Sequence, residues 1–146
     1  MTFELLTASS EKWNSLIRYA EACPWGAGMA LAQAMKNNAF TDWERVLAAL
    51  DGEKICGYCT IAKTDCIPDV SYMPYIGFLF VDEACRGRRI SQQMIQYAMG
   101  YLKTLGFPAV YLVSDHENLY EKYGFRVIDR KKAFWGPEEK IYIHDL

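Results

Sequence analysis

The sequence predicts an α/β fold, a mixed and mostly antiparallel sheet of about six or seven strands with helices on both faces. The main observation is the stretch from Tyr75 to Val81, which has the pattern of a strand buried on both faces. It leads within a few residues into an amphipathic helix that begins at Ile90. A second observation is Asp51-Gly52, a strong hairpin signal between two apolar runs. Together these features favour hairpins combined with one parallel crossover.

Length and composition favour one ordered domain over residues 1–146, and half of the residues are hydrophobic (51%). The net charge of −2 is too close to zero to favour a disordered chain, and a dedicated nucleic-acid binder would carry a positive net charge. No apolar run is long enough for a membrane span, and no signal-peptide pattern opens the chain. We therefore expect a soluble cytoplasmic protein with no nucleic-acid or membrane partner.

The first half of the chain predicts a strand, two helices and a hairpin. The segment Cys23-Pro24-Trp25-Gly26 separates the helices, and Asn37-Asn38 ends the second. The expected elements are a strand over Thr2 to Leu6, a helix with Trp13, Leu16, Ile17 and Ala20 on one face, a helix over Ala27 to Met35, and strands over Trp43 to Leu50 and Lys54 to Lys63.

The second half predicts a strand, a long helix, a parallel strand and a closing hairpin. Apolar residues recur with helical spacing from Ile90 to Leu105, and Gly106 with Pro108 ends that helix. A right-handed crossover then makes the next strand parallel to the Tyr75 strand. The remaining expected elements are strands over Ala109 to Val113, Arg126 to Arg130 and Lys140 to His144, and a short helix over Glu117 to Tyr123.

The five cysteines are an odd number without a secretion signal, which argues against a disulfide framework. Cys56 and Cys59 have zinc or redox spacing, and a zinc-binding module is the alternative that this spacing raises. Residues three apart on a strand point to opposite faces, so the pair can share a metal only if the strand bulges. We expect buried structural cysteines and no metal.

The turn from Cys85 to Ser91 joins the buried strand to the long helix. Free N–H groups and the positive end of the helix dipole meet there, which is an arrangement that binds phosphate. Arg86, Arg88 and Arg89 add charge, although they could instead form a solvated helix start. The turn matches neither a P-loop nor a dinucleotide fingerprint.

Two motifs resemble the GCN5-related N-acetyltransferase (GNAT) family. The first is the turn Arg86-Gly87-Arg88-Arg89-Ile90-Ser91, which is similar to the family's pyrophosphate loop, with Arg89 and Ser91 where glycines are usual. The second is Tyr120-Glu121-Lys122-Tyr123-Gly124-Phe125, similar to the family's Tyr-x-x-x-Gly-Phe ending. The resemblance implies a sheet splayed between its fourth and fifth strands and an enzyme that uses acetyl-CoA as co-substrate.

The resemblance also implies site residues. Main-chain groups of Leu79, Phe80 and Val81 would bind pantetheine, and an N–H near Leu79 would hold the oxyanion. Tyr120 would protonate the departing thiolate as general acid, since a phenol can donate a proton to a thiolate within hydrogen-bond reach. Val113 occupies the family's usual Asn position, and Asn118 lies close enough to substitute. The diphosphate would contact the turn at Arg86, Gly87, Arg88, Arg89, Ile90 and Ser91.

The sequence does not single out a general base, because Tyr75 occupies the position where some members of the GNAT family carry a glutamate. The candidates are Asp65, Asp69, Asp115 and His116, acting directly or through water.

We expect the acceptor to be the primary amine of a small, possibly cationic molecule. Aromatic rings beside carboxylates and with few basic residues favour a cation. The expected acceptor-binding residues are Trp25, Tyr72, Tyr75 and Asp69, with Trp135 and Asp65 nearby. These rings could instead form core or a homodimer surface, and a non-enzymatic acyl-CoA or anion-binding module of the same fold is the alternative function.

Overall fold

The computed structural model describes residues 1–68 and 71–146 and contains seven strands and three α-helices. No helix in this described part is both long and apolar enough to cross a membrane. The elements are β1 (Thr2–Leu6), α1 (Trp13–Glu21), α2 (Ala27–Lys36), β2 (Arg45–Asp51), β3 (Lys54–Ala62), β4 (Tyr75–Val81), α3 (Ile90–Thr104), β5 (Ala109–Ser114), β6 (Arg126–Lys132) and β7 (Glu138–Asp145).

All seven strands form a single mixed sheet in the order β1-β2-β3-β4-β5-β7-β6. Every neighbouring pair is antiparallel except β4 and β5, which are parallel and joined through α3. The long-helix crossover is what a parallel pair requires. The predicted α/β fold class is therefore confirmed.

Helices cover both faces of the sheet, as the alternation of β2 shows. Val46, Ala48 and Leu50 face α1 and α2 in one buried cluster. Leu47 and Ala49 belong to a second cluster with α3. Successive strand residues point to opposite faces, so this alternation separates two cores around one sheet.

The long helix α3 buries the stripe that its sequence predicts. Ile90, Met94, Ile95, Ala98 and Leu102 are all at most 2% exposed. Leu105, which we placed in the same stripe, is 43% exposed and lies at the C-cap, just after the helix ends at Thr104. Gly106 follows with a left-handed φ of +88°, which a glycine adopts without strain.

The predicted helix over Glu117 to Tyr123 is wrong, since only a 3₁₀ turn over Tyr120–Tyr123 forms there. Asn118 has a left-handed φ of +59°, which interrupts a right-handed helix. Before it, the Ser114 hydroxyl accepts the His116 N–H and so tightens a non-helical turn.

The strand β3 does bulge at the cysteine pair. The β2–β3 register shifts between Ala49 and Leu50, so Cys56 is the extra residue, and Cys56 and Cys59 lie in the same buried cluster. Cys56 Sγ lies 2.7 Å from Cys85 Sγ, and burial raises the pKa of the Cys56 thiol to about 11. No group of three or more potential metal ligands occurs in the described ranges. All five cysteines are free, and four of them are buried.

Candidate active site

The parallel strands β4 and β5 separate after one ladder pair. Their ladder consists of the pair Tyr75 and Tyr111, reinforced by the Tyr111 N–H donating to the Pro74 carbonyl at 2.9 Å. No further β4–β5 ladder pair occurs among the residues that the structure describes. The strands therefore open a gap toward the carboxyl end of β4, at the centre of the sheet.

A bulge in β4 lies at the start of this gap. Thr60 of β3 pairs with Gly77, and Tyr58 pairs with Phe80, so the single residue between them opposes Phe78 and Leu79. Phe78 has a φ of +48°, an unusual backbone conformation for a bulky side chain. Such strained residues cluster at functional sites.

Hydrogen bonds to Asp82 fix the start of the basic turn that follows β4. Its carboxylate accepts the Ala84 N–H at 3.0 Å and the Tyr19 hydroxyl at 3.0 Å. Both hydrogen bonds lower the pKa of Asp82, and the bond from the Ala84 N–H has the larger effect. The turn therefore starts from a fixed anchor.

Left-handed residues shape the turn itself. Gly87 has a φ of +86°, and Arg89, which caps α3 at its N-terminus, has a φ of +56°. Arg89 therefore keeps the backbone conformation of a glycine although it carries a long side chain, at a cost on the order of 1 kcal/mol. The side chain is exposed, as is that of Arg86. Both remain available to a ligand.

One groove of about 550 Å³ joins the basic turn to the β4 gap. It brings together most of the residues that the sequence analysis proposed for the co-substrate, and it adds Trp25, His116 and Leu119. Its lining residues are Trp25, Leu79, Phe80, Val81, Arg86, Gly87, Arg89, Ile90, Ser91, His116, Leu119 and Tyr120.

Arg88 and Asn118 are the two proposed co-substrate residues outside this lining. Arg88 instead pairs with Asp51 at 3.2 Å, across the hairpin turn. Asn118 is exposed, and its left-handed backbone shapes the turn before Tyr120. Neither side chain therefore enters the co-substrate region that we propose below.

Tyr120 lies where the groove meets a second cavity, and it lines both. The side chain is 6% exposed, and burial raises its pKa to about 12, with Tyr123 adding to the effect. The hydroxyl therefore keeps its proton at neutral pH. A group in that state can donate a proton and cannot serve as a base.

The second cavity, of about 790 Å³, lies on the other side of the gap. Four carboxylate residues line it, and no lysine or arginine does so among the described residues: Glu44, Asp65, Asp115 and Glu139. Aromatic residues at its wall include Trp25, Phe78, Phe134 and Trp135. The cavity is therefore acidic and aromatic.

Two of these carboxylates have distinct surroundings. Glu44 is fully engaged, since it accepts the N–H groups of Thr41 and Lys63. Glu139 accepts the Trp135 indole N–H at 3.4 Å through one oxygen. Its other oxygen is buried without a hydrogen-bond partner in the described part of the chain.

Asp65 lies against the backbone of β4. Its Oδ1 accepts the Cys66 N–H at 2.8 Å. Its Oδ2 lies close to Gly77: a Cβ atom added to Gly77 would be 2.9 Å from Asp65 Oδ2 and 3.1 Å from Thr60 Oγ1. Burial raises the pKa of Asp65 to about 6, opposed by the Cys66 N–H and increased by Glu139.

Tyr72 and Tyr75, proposed from sequence for the acceptor, lie outside both cavity linings. Tyr75 is 2% exposed and belongs to the β4 ladder. Tyr72 stacks on Tyr111 at 4.9 Å and donates its hydroxyl to Asp129 at 2.9 Å. Trp25 does line the cavity, and Asp69 lies outside the described residues.

Comparisons with known proteins agree with this architecture. The family model described as the acetyltransferase (GNAT) family matches residues 11–125. No curated protein matches the chain.

Solved structures of low sequence identity share the fold. An aminoglycoside 6'-N-acetyltransferase from Enterococcus faecium is 15% identical, with a TM-score of 0.72 over 99% of this chain and 97% of that one. A GNAT family acetyltransferase from Elizabethkingia anophelis with acetyl-CoA bound is 16% identical, with a TM-score of 0.68 over 99% and 97%. A ribosomal-protein-alanine N-acetyltransferase from Brucella melitensis is 14% identical, with a TM-score of 0.68 over 100% of both chains.

The chain belongs to the acetyltransferase (GNAT) family. It is therefore an acyltransferase, and acetyl-CoA is its co-substrate. This confirms the resemblance seen in the two sequence motifs.

Proposed function

We propose that residues 1–146 act as one domain that transfers an acetyl group from acetyl-CoA to the primary amine of a small cationic molecule. The observation that carries this proposal is the gap between β4 and β5, which has a basic groove on one side and an acidic, aromatic cavity on the other. The two substrates would meet in the gap from opposite sides.

The basic groove is proposed to hold the co-substrate. Main-chain groups of Leu79 to Val81, which have no β5 partner in the described ladder, would bond the pantetheine amides as an added strand does. The N–H groups at the start of α3 and the side chains of Arg86 and Arg89 would bind the diphosphate. Both sets of groups line the same groove.

Tyr120 is proposed as the general acid. The phenol keeps its proton, because its pKa is raised to about 12, and it lines the groove and the acceptor cavity together. It would protonate the thiolate that departs as the amide forms. The Leu79 N–H, beside the strained Phe78, would stabilise the oxyanion.

The charge of the second cavity supports a cationic acceptor. Aromatic faces attract a cation by about 0.5–2 kcal/mol for each desolvated ring contact. Trp25 and Trp135 supply such faces at the wall, and the carboxylates of Asp65, Asp115 and Glu139 add attraction. The aminoglycosides that name the E. faecium enzyme are themselves polycationic amines. The B. melitensis enzyme is named for a protein acceptor, so the charge of the cavity, and not the fold, carries the proposal of a small cationic acceptor.

Steady-state rates on a matched panel of primary amines test the acceptor class. The members should share a carbon skeleton and differ only in a second group that is cationic, neutral or anionic. We expect kcat/KM to be highest for the cationic members and lowest for the anionic ones. A preference for the anionic members would overturn the assignment of the acidic cavity to the acceptor.

A further inference from the structure

One carboxylate of the acceptor cavity lies directly against β4, the strand beside which the acyl group is proposed to lie. Asp65 Oδ2 is held beside Gly77, two residues before Leu79, and Gly77 has no side chain that could push it away. The Cys66 N–H fixes the other oxygen, Oδ1, at 2.8 Å. The carboxylate therefore has one oxygen anchored and one turned to the strand where the acyl group is proposed to lie.

The surroundings of Asp65 favour a carboxylate that accepts a proton readily. Among the described residues, the groups that act on it are Glu139, Tyr75 and Cys66, and none of these three is cationic. Burial and the negative charge of Glu139 raise the pKa of Asp65 to about 6, in the range expected of a catalytic base.

The other base candidates of the cavity are placed differently. Asp115 and His116 are exposed, and the His116 ring packs 6.2 Å from the ring of Tyr120, the proposed general acid. Glu44 is occupied by two backbone N–H groups. Asp65 is the candidate that combines closeness to β4 with an oxygen that accepts no hydrogen bond from any described residue.

We propose that Asp65 is the general base that removes the proton from the attacking amine, either directly or through one water molecule. The neutral amine forms the N–C bond, and the C–S bond breaks with its electron pair passing to sulfur. The nitrogen loses one proton to Asp65 Oδ2, and the sulfur gains one from the Tyr120 hydroxyl. Asp65 then releases its proton to water, and Tyr120 regains one.

This assignment rests on the proposed acetyl transfer, and its test is chosen to separate the two. The wild-type enzyme, Asp65→Asn and Asp65→Ser would be compared in kcat/KM from pH 5 to pH 9 with one cationic acceptor. Both neutral side chains keep an oxygen that can accept the Cys66 N–H. Glu138→Gln, an exposed carboxylate outside the cavity, is the charge-matched control.

The wild type should lose activity more steeply below about pH 6, since Asp65 and the amine then both take up protons. A plot of log kcat/KM against pH should steepen there from a slope of about one to about two. Both neutral variants should be on the order of 10²-fold slower at pH 8 and should keep a slope of about one throughout. Glu138→Gln should match the wild type.

Near-wild-type rates in both neutral variants, or variants that keep the steeper limb, would overturn the role of Asp65 while leaving acetyl transfer intact. A wild type without transfer to any amine would instead refute the proposed function. Acetyl-CoA binding, measured by its thermal shift, should be unchanged in every variant, because Asp65 lies outside the groove lining.

Discussion

Replacing Asp65 with asparagine should make the protein more stable at neutral pH. Asparagine has nearly the same shape and keeps the oxygen that accepts the Cys66 N–H. It carries no charge, so burial no longer penalises it. The carboxylate in the wild type lies in a cavity wall beside Glu139, and no cation is among the described groups that act on it.

The size of the gain follows from the raised pKa. Folding raises the pKa of Asp65 from 3.8 to about 6. Below pH 3.8 the side chain is protonated in both states, and the penalty is absent. As pH rises toward 6 the unfolded state loses the proton first, so the free energy of unfolding falls. The full loss above pH 6 is at most about 3 kcal/mol.

Urea unfolding at two pH values measures this effect. The free energy of unfolding of Asp65→Asn minus that of the wild type should be about 2 kcal/mol larger at about pH 7.5 than at about pH 4.5. Taking the difference removes the pH dependence of all other groups. Glu138→Gln, on the exposed start of β7, is the charge-matched control in the same measurement.

A difference that is the same at both pH values would refute the raised pKa. An Asp65→Asn variant that is less stable than the wild type at neutral pH would show that the ionised carboxylate is stabilised by its surroundings. Either result would also remove the raised pKa that supports the assignment of Asp65 as a base, and the assignment would then rest on its position against β4 alone.

Two further predictions test the co-substrate side. Acetyl-CoA at 100 times its dissociation constant should stabilise the wild type by about 2.7 kcal/mol, which raises its thermal midpoint. Arg89→Glu should abolish most of this thermal shift. Arg89→Gly should keep part of the shift, because glycine adopts the same left-handed backbone conformation. An intact shift in Arg89→Glu would exclude this turn as the diphosphate site. Tyr120→Phe should keep the fold and the calorimetric affinity for acetyl-CoA but lower kcat on the order of 10²-fold; an unchanged kcat across the pH range would return Tyr120 to a packing role.

Local patterns were sufficient for the central elements of the fold. The bounds of β4 and the start of α3 follow from an apolar strand pattern and a 3.6-residue stripe, both of which are short-range signals. The 3₁₀ turn at Tyr120 was misread as a helix, because a left-handed Asn118 has no reliable signal in the sequence. Leu105 lies one residue past the last residue of α3, and sequence patterns place helix ends only to within one or two residues.

The lining of the proposed acceptor cavity was only partly predictable. Trp25, Asp65 and Trp135 line it as expected from their loops. Glu139 was missed because β7 reaches the cavity only through its pairing with β5, a long-range contact without a local signature. Tyr75 was assigned to the acceptor, but it lies in the first part of β4, where Tyr75, Ile76 and Gly77 are buried, and the sequence did contain a buried-strand pattern there.

The two strand bulges could not be predicted either, because they also depend on long-range strand pairing. Cys56 and Phe78 each occupy an extra position that becomes apparent only when the neighbouring strand fixes the register. A bulge brings Cys56 to the same core as Cys59, and the other bends β4 at the proposed oxyanion site.

The most direct test of the whole account is release of free CoA thiol from acetyl-CoA by the wild-type protein, measured with and without a panel of cationic primary amines. We predict release that depends on both the protein and an amine, with one acetylated amine formed per thiol. Binding of acetyl-CoA without amine-dependent thiol release, for every amine tested, would contradict the proposed acetyl transfer.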